Sequence, residues 1–192
     1  NFLIETKLKI YLKFEIYFEM DRSANVKKII IEMFTQRGYT DIDESKENRI
    51  LATKPCGTLI CAFSNIIEKL NVAEIYSIIA RLQKTEINHG LIVFEGVPTP
   101  AVKNVVSTTP DLDIHIELFN ADDLQFNITE HRLVPKHVLL NSDQAHDFKQ
   151  KYGTNIPVLL RTDAISRFFD FTKGDVIKII RRDGYVSYRI VR

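Results

Sequence analysis

Residues 173–191 read KGDVIKIIRRDGYVSYRIV. Val176 to Ile180 is a short β-branched run, and Tyr185 to Val191 alternates. Asp183-Gly184 stands between them, the kind of pair that a two-residue hairpin turn favours because its central positions need positive φ. The stretch therefore predicts two antiparallel strands. Just upstream, Asp163 can cap a short helix carrying Ile165, Phe168 and Phe169. Ser142 can cap a longer helix with Ala145, Phe148 and Tyr152 inward, which Gly153 then ends. These elements predict a small α+β unit over residues 127–192. About sixty residues is near the lower limit at which a core holds alone, so such a unit gains from docking on a partner.

The preceding residues have a different pattern. From Asn25, the apolar positions Val26, Ile29, Ile30, Met33 and Phe34 fall at helical spacing, and Gly38 follows as a C-terminal cap. After a polar link over 41–49, Ile50 to Thr53 and Thr58 to Phe63 read as strands around a turn at Lys54 to Gly57. Asn71 and Glu74 open a helix with Val72, Ile75, Ile79 and Leu82 on one face. Leu91 to Phe94 is a buried strand. Thr99-Pro100 opens a helix with Val102, Val105 and Val106, and a strand is predicted from Asp113 to Phe119. This order predicts an α/β layer domain with a mixed sheet over residues 21–126. Residues 8–20 alternate with the period of a strand and are read as an extension, residues 1–20, outside the main fold.

With 45% apolar and 27% charged residues in a chain of 192, extensive disorder is not expected. No run of about 18 uncharged apolar residues is present, so no membrane partner is expected. The formal charge of +1 conceals an asymmetry: residues 1–130 hold 14 Lys and Arg against 19 Asp and Glu, residues 131–192 hold 12 against 6. The C-terminal part thus carries +6, which suits phosphates or an acidic protein surface equally.

Chemistry has no evident carrier. The two cysteines, Cys56 and Cys61, read as buried thiols, and the five histidines make no zinc spacing with them, so no metal and no cofactor is expected. A nuclease needs carboxylates at a strand end and an acidic-x-Lys pair on the next strand. Glu44-x-Lys46 lies in a polar link and Glu5-x-Lys7 in the extension, and neither has a suitable Asp partner. No catalytic residue is assigned.

Binding remains. The helix at Thr99-Pro100 has no acid in Ala101-Val102-Lys103, so its free amides can meet a phosphate or simply cap a loop. Lys173, Lys178, Arg181, Arg182, Arg189 and Arg192 can face nucleic acid, water or an acidic partner.

A longer ordered pattern adds to this. Asn127 to Leu139 (NITEHRLVPKHVL), Ile156-Pro157, Asp163, Arg167-Phe168-Phe169, Lys173 to Arg181 and Tyr188 to Val191 resemble the assembly domain of the small subunit shared by eukaryotic nuclear RNA polymerases I, II and III. The family has a shorter counterpart in archaeal RNA polymerase. Ile30 to Phe34, Arg37-Gly38-Tyr39, Gly90 to Val93 and Thr99-Pro100 extend the resemblance over about residues 24–192. A chain with both parts resembles the eukaryotic form or a large-DNA-virus version. It departs from the family at Asp163-Ala164, where Asp-Pro is usual, and at Arg182 to Gly184, where the loop is usually longer.

The resemblance implies a non-catalytic subunit of DNA-directed RNA polymerase. Its N-terminal jaw would have a restriction-endonuclease-like fold without catalytic residues. That jaw would lie by downstream double-stranded DNA, with Thr99, Pro100, Ala101 and Lys103 as weak, non-specific contacts. The C-terminal domain would dock on the largest polymerase subunit through His131, Leu133, Val134, Pro135, Lys136, His137, Arg167, Lys178 and Arg181. The expected compartment is the nucleus, or a virion or cytoplasmic virus factory for a viral chain. The alternatives are a structure-specific nuclease and a free-standing polymerase-binding regulator.

Overall fold

A computed structural model describes residues 22–192 apart from 47 and 154. The extension, with its alternating segment and Glu5-x-Lys7, lies outside the described residues. The chain forms two compact units that meet in sequence between Phe126 and Asn127. Both mix helices with mixed sheets, an α+β architecture.

In the first unit, helix α1 covers residues 22–36 and buries Val26, Ile30, Met33 and Phe34 completely, each contributing about 1.5–3 kcal/mol relative to exposure. Its stop is a Schellman motif. Gly38 adopts φ +85°, its N–H reaches the Thr35 carbonyl, and the Tyr39 N–H reaches that of Phe34.

Five strands follow in the order β1 (Asp41–Asp43), β2 (Arg49–Thr53), β3 (Leu59–Ile67), β4 (His89–Phe94) and β5 (His115–Asn120). The β1–β2 and β2–β3 pairs are antiparallel, whereas β3–β4 and β4–β5 are parallel. The parallel crossovers are carried by α2 (Val72–Lys84) and α3 (Pro100–Thr108). Cys61, Phe63, Ile92, Phe94 and Ile116 face Ile75, Ile79, Leu82 and Val102 in one core. Gly90 lets α2 come close: a Cβ there would meet Leu82 Cδ1 at 2.7 Å.

In the second unit the sheet order is β6 (Lys136–Leu139), β8 (Val176–Ile180), β9 (Val186–Val191), β7 (Val158–Leu159). The hairpin β8–β9 turns at Gly184, φ +82°. Helix α5 (Ala164–Phe169) is capped by Asp163, whose carboxylate accepts from the Ile165 N–H at 2.9 Å. Ile165 joins Leu159, Phe171, Ile177, Ile179 and Val191 in the core. Helix α4 (Ser142–Tyr152) serves the other sheet face, where Phe148 meets Tyr188 at 4.5 Å between ring centroids.

Several local expectations are corrected. Cys56 is exposed, because it occupies the β2–β3 turn and not a strand; Cys61 is buried. Residues 41–43 form an edge strand held by backbone pairing with β2, which a polar side-chain pattern does not signal. Asn141, not Ser142, caps α4, because Gln144 completes a capping box with it. Tyr152 is 59% exposed; its ring rests on Phe148, 4.9 Å between centroids, and it is Phe148 that meets Tyr188 of the sheet. Asp113 ends a 3-10 turn at φ +57° and β5 starts two residues later.

Candidate functional site

The Thr99-Pro100 turn is built as a helix start. Thr99 Oγ1 accepts from the Val102 N–H at 3.4 Å, and Val102 anchors the first turn with no exposed surface. Thr99, Pro100, Ala101 and Lys103 are all exposed, and the first turn carries no acid. Pro100 has no N–H, and the Val102 and Lys103 N–H groups are bonded to Thr99, so what this turn can offer an anion is the Ala101 amide and the positive end of the helix dipole.

Elsewhere in the first unit the buried carboxylate of β5 is occupied. Glu117 on β5 accepts from both Arg37 terminal nitrogens, 2.7 Å each, and from His89 Nε2 at 2.8 Å. Arg37 and Glu117 side chains are 3% and 7% exposed. Burial by itself would raise the Glu117 carboxyl, but the Arg37 charge and the hydrogen bonds from His89 and Arg37 outweigh it and bring the pKa down to about 2. His89, His115 and Glu117 have ligand atoms close enough together for a metal ion. They do not fit one, because the Arg37 guanidinium already engages both carboxylate oxygens. The first residue of α1 is tied to segments just beyond the strands: Arg22 pairs with Glu95, after β4, and, at 2.6 Å, with Asp122, after β5.

Among the described residues, no strand of the first unit carries an acidic-x-Lys pair, and β3 carries neither a carboxylate nor a lysine. Glu44 and Lys46 lie in the irregular link after β1.

In the second unit, Leu133, Val134, Pro135 and Arg181 line two adjoining depressions of about 410 and 350 Å³. His137 lines the second. Leu133 is 74% exposed, whereas Val134 packs on the Ile177 and Ile179 core. His131 pins this segment: its Nδ1 accepts from the Leu133 N–H at 3.3 Å and its carbonyl from the Val134 N–H at 2.9 Å. The His137 ring lies 2.8 Å from the Pro135 carbonyl through Nδ1, and burial lowers its pKa below the ordinary value.

The other expected interface residues lie apart. Lys136 is exposed on edge strand β6. Lys178 pairs with Val138 and Tyr188, on the sheet face opposite Ile177 and Ile179. Arg167 is half-buried on α5.

Arg132, Arg182 and Asp183, which also line the larger depression, were not in the expected set. Arg132 follows His131, and the other two belong to the short turn Arg182 to Gly184 singled out in the sequence. These two positions were the available signals.

Residues 126–191 match the family described as RNA polymerase Rpb5, C-terminal domain. Among similar proteins is the "Putative DNA-directed RNA polymerase subunit 454R" of Invertebrate iridescent virus 6. It is 41% identical over 113 residues, which cover 53% of this chain and 60% of that protein. The subunit rpabc1 of DNA-directed RNA polymerases I, II and III from Dictyostelium discoideum is 24% identical over 193 residues, covering 90% of this chain and 98% of that protein. Its Caenorhabditis elegans counterpart is 29% identical over 130 residues, covering 64% and 61%. The chain thus spans about 60% of the viral and nematode relatives and nearly all of the Dictyostelium one.

Proposed function

We propose that the chain, whose residues 126–191 match the RNA polymerase Rpb5 C-terminal domain family, is a non-catalytic subunit of a DNA-directed RNA polymerase, docked through residues 127–192 on the largest subunit. The first unit acts as a jaw beside downstream DNA. The match of the whole C-terminal unit to this domain family carries the reading. The exposed Leu133 and the cationic surface around it supply a face that a partner can cover.

The jaw contact is made by Thr99, Pro100, Ala101 and Lys103. A few phosphate contacts without base readout give weak, salt-sensitive, sequence-independent binding. Such binding becomes useful once the polymerase fixes the geometry. No observation favours a nuclease: β3 lacks the acidic-x-Lys pair. The compartment follows the enzyme, a nucleus for a cellular chain and a virion or virus factory for a viral one; the viral relative supports keeping both.

The test is affinity purification of the tagged chain from its native lysate, with mass spectrometry of the co-purifying proteins. The largest polymerase subunit at about one-to-one stoichiometry is the expected result. Substoichiometric recovery would point to a free-standing regulator, and absence of all polymerase subunits would overturn the reading. Within the assembled enzyme, Lys103→Glu weakens the grip on downstream DNA without releasing the subunit.

A further inference from the structure

We propose that the groove bounded by Arg132, Arg181 and Arg182 receives a segment of a partner polypeptide in which an apolar side chain is bracketed by carboxylates. The inference rests on the reading of residues 127–192 as a docking unit and names the chemistry that this face recognises.

The two depressions share Leu133, Val134, Pro135 and Arg181, so they form one groove on either side of a single rigid segment. Val134 is anchored in the core below and His131 holds the backbone. Leu133 therefore stands out of a fixed backbone, an apolar contact available before a partner arrives.

The charges around it are arranged for an anion. Arg132, Arg181 and Arg182 are exposed, and none of them pairs with a carboxylate among the described residues. Arg181 lies over the Tyr185 ring, 5.6 Å from its centroid, which restricts the guanidinium. Among the described residues Asp183 is the only acid lining the larger depression, and its Oδ1 already accepts from the Tyr185 N–H at 3.0 Å.

A carboxylate-bearing polypeptide fits better than a nucleic acid. Leu133, Val134 and Pro135 run through both depressions, and a duplex backbone presents no apolar side chain to pack on them. Guanidinium forks match carboxylates in two-point hydrogen bonds, and arginine with a central apolar anchor is the usual composition of an energetic hot spot.

The experiment titrates the full chain into a fluorescein-labelled peptide with one leucine flanked by two glutamates on each side in a Gly/Ser background, read by anisotropy. Saturable binding is expected, weakening as salt rises from about 50 to about 200 mM. Replacing the glutamates by glutamines, or using the variant Arg181→Glu/Arg182→Glu, weakens binding by about tenfold or more. Leu133→Ala weakens it about threefold or more. Lys173→Glu, exposed and outside the groove, stays within about twofold. Circular dichroism verifies that each variant is folded.

No saturation at millimolar peptide, equal binding of the glutamine peptide, or tighter binding of duplex DNA would overturn the proposal. The same variants are then carried through the affinity purification. Wild-type chain without polymerase sinks the subunit reading and leaves the groove to the peptide result. Wild-type and groove variants retained equally sink the groove and spare the subunit reading.

Discussion

The two units treat charge in opposite ways. The first, net negative by sequence, takes a guanidinium and a carboxylate into its interior and closes them with a histidine. The second, net positive, builds its core from aliphatic and aromatic side chains, buries no charged residue among those described, and leaves most of its arginines exposed. Buried ion pairs add little net stability over apolar packing but are costly to break, because the surviving partner is left desolvated. The first unit thus has a polar lock that fixes α1 to β5. The second spends its charge on a surface.

The sharpest way to break this contrast is to remove one half of the lock. Glu117→Ala leaves Arg37 without its carboxylate and is expected to destabilise the first unit by about 3–5 kcal/mol. Amide hydrogen exchange should accelerate in α1, β4 and β5 and stay unchanged over residues 127–192. The converse is Phe168→Ala, which empties a site 3% exposed beside Phe169. It is expected to cost about 3–5 kcal/mol and to lower protection in the second unit. If either change loosens both units equally, the division of labour is wrong.

A smaller effect is expected at Gly90. Gly90→Ala forces Leu82 to move within a packed core and should cost about 1–3 kcal/mol, read from the denaturant midpoint.

Acid should separate the units by pH. His137 has a lowered folded-state pKa, chiefly from burial, so the unfolded chain binds its proton first. Its stabilising contribution is complete above the unfolded histidine pKa and is lost as pH falls through the folded one. Glu117 titrates down to about 2, against 4.5 when unperturbed. Its contribution is complete above the unfolded value and disappears only as pH approaches 2. Exchange followed from pH 7 downward should therefore loosen the surroundings of His137 well before the Glu117 lock.

The mildest probe is thiol labelling at neutral pH. Exposed Cys56, its pKa lowered chiefly by the Thr58 hydroxyl, should react promptly. Cys61, buried and pushed up to about 11, should react only after unfolding.

Much of the fold was legible, because apolar period, caps and glycine turns are local signals. Val26 to Phe34, Asn71, Asp163 and Asp183-Gly184 each announced an element that the structure contains. What was illegible depends on distance along the chain. Arg37 and Glu117 are 80 residues apart, and nothing local marks them as partners. Strand β1 exists through backbone pairing alone. Of the candidate interface, Leu133, Val134, Pro135 and Arg181 converge on one groove, because the segment before β6 lies over the end of β8. Lys178 faces the other way by strand alternation. Arg132 and Arg182 gained meaning only from that convergence.

One topological detail bears on biosynthesis. Strand β9 is an interior strand of its sheet, between β8 and β7, although its residues come last of the four in sequence. As the polypeptide leaves the ribosome, β7 has no neighbour until residues 190–191 emerge. The C-terminal module therefore cannot complete its hydrogen-bonded sheet while those residues are still inside the exit tunnel, so its maturation must follow release of the segment from the translating machine.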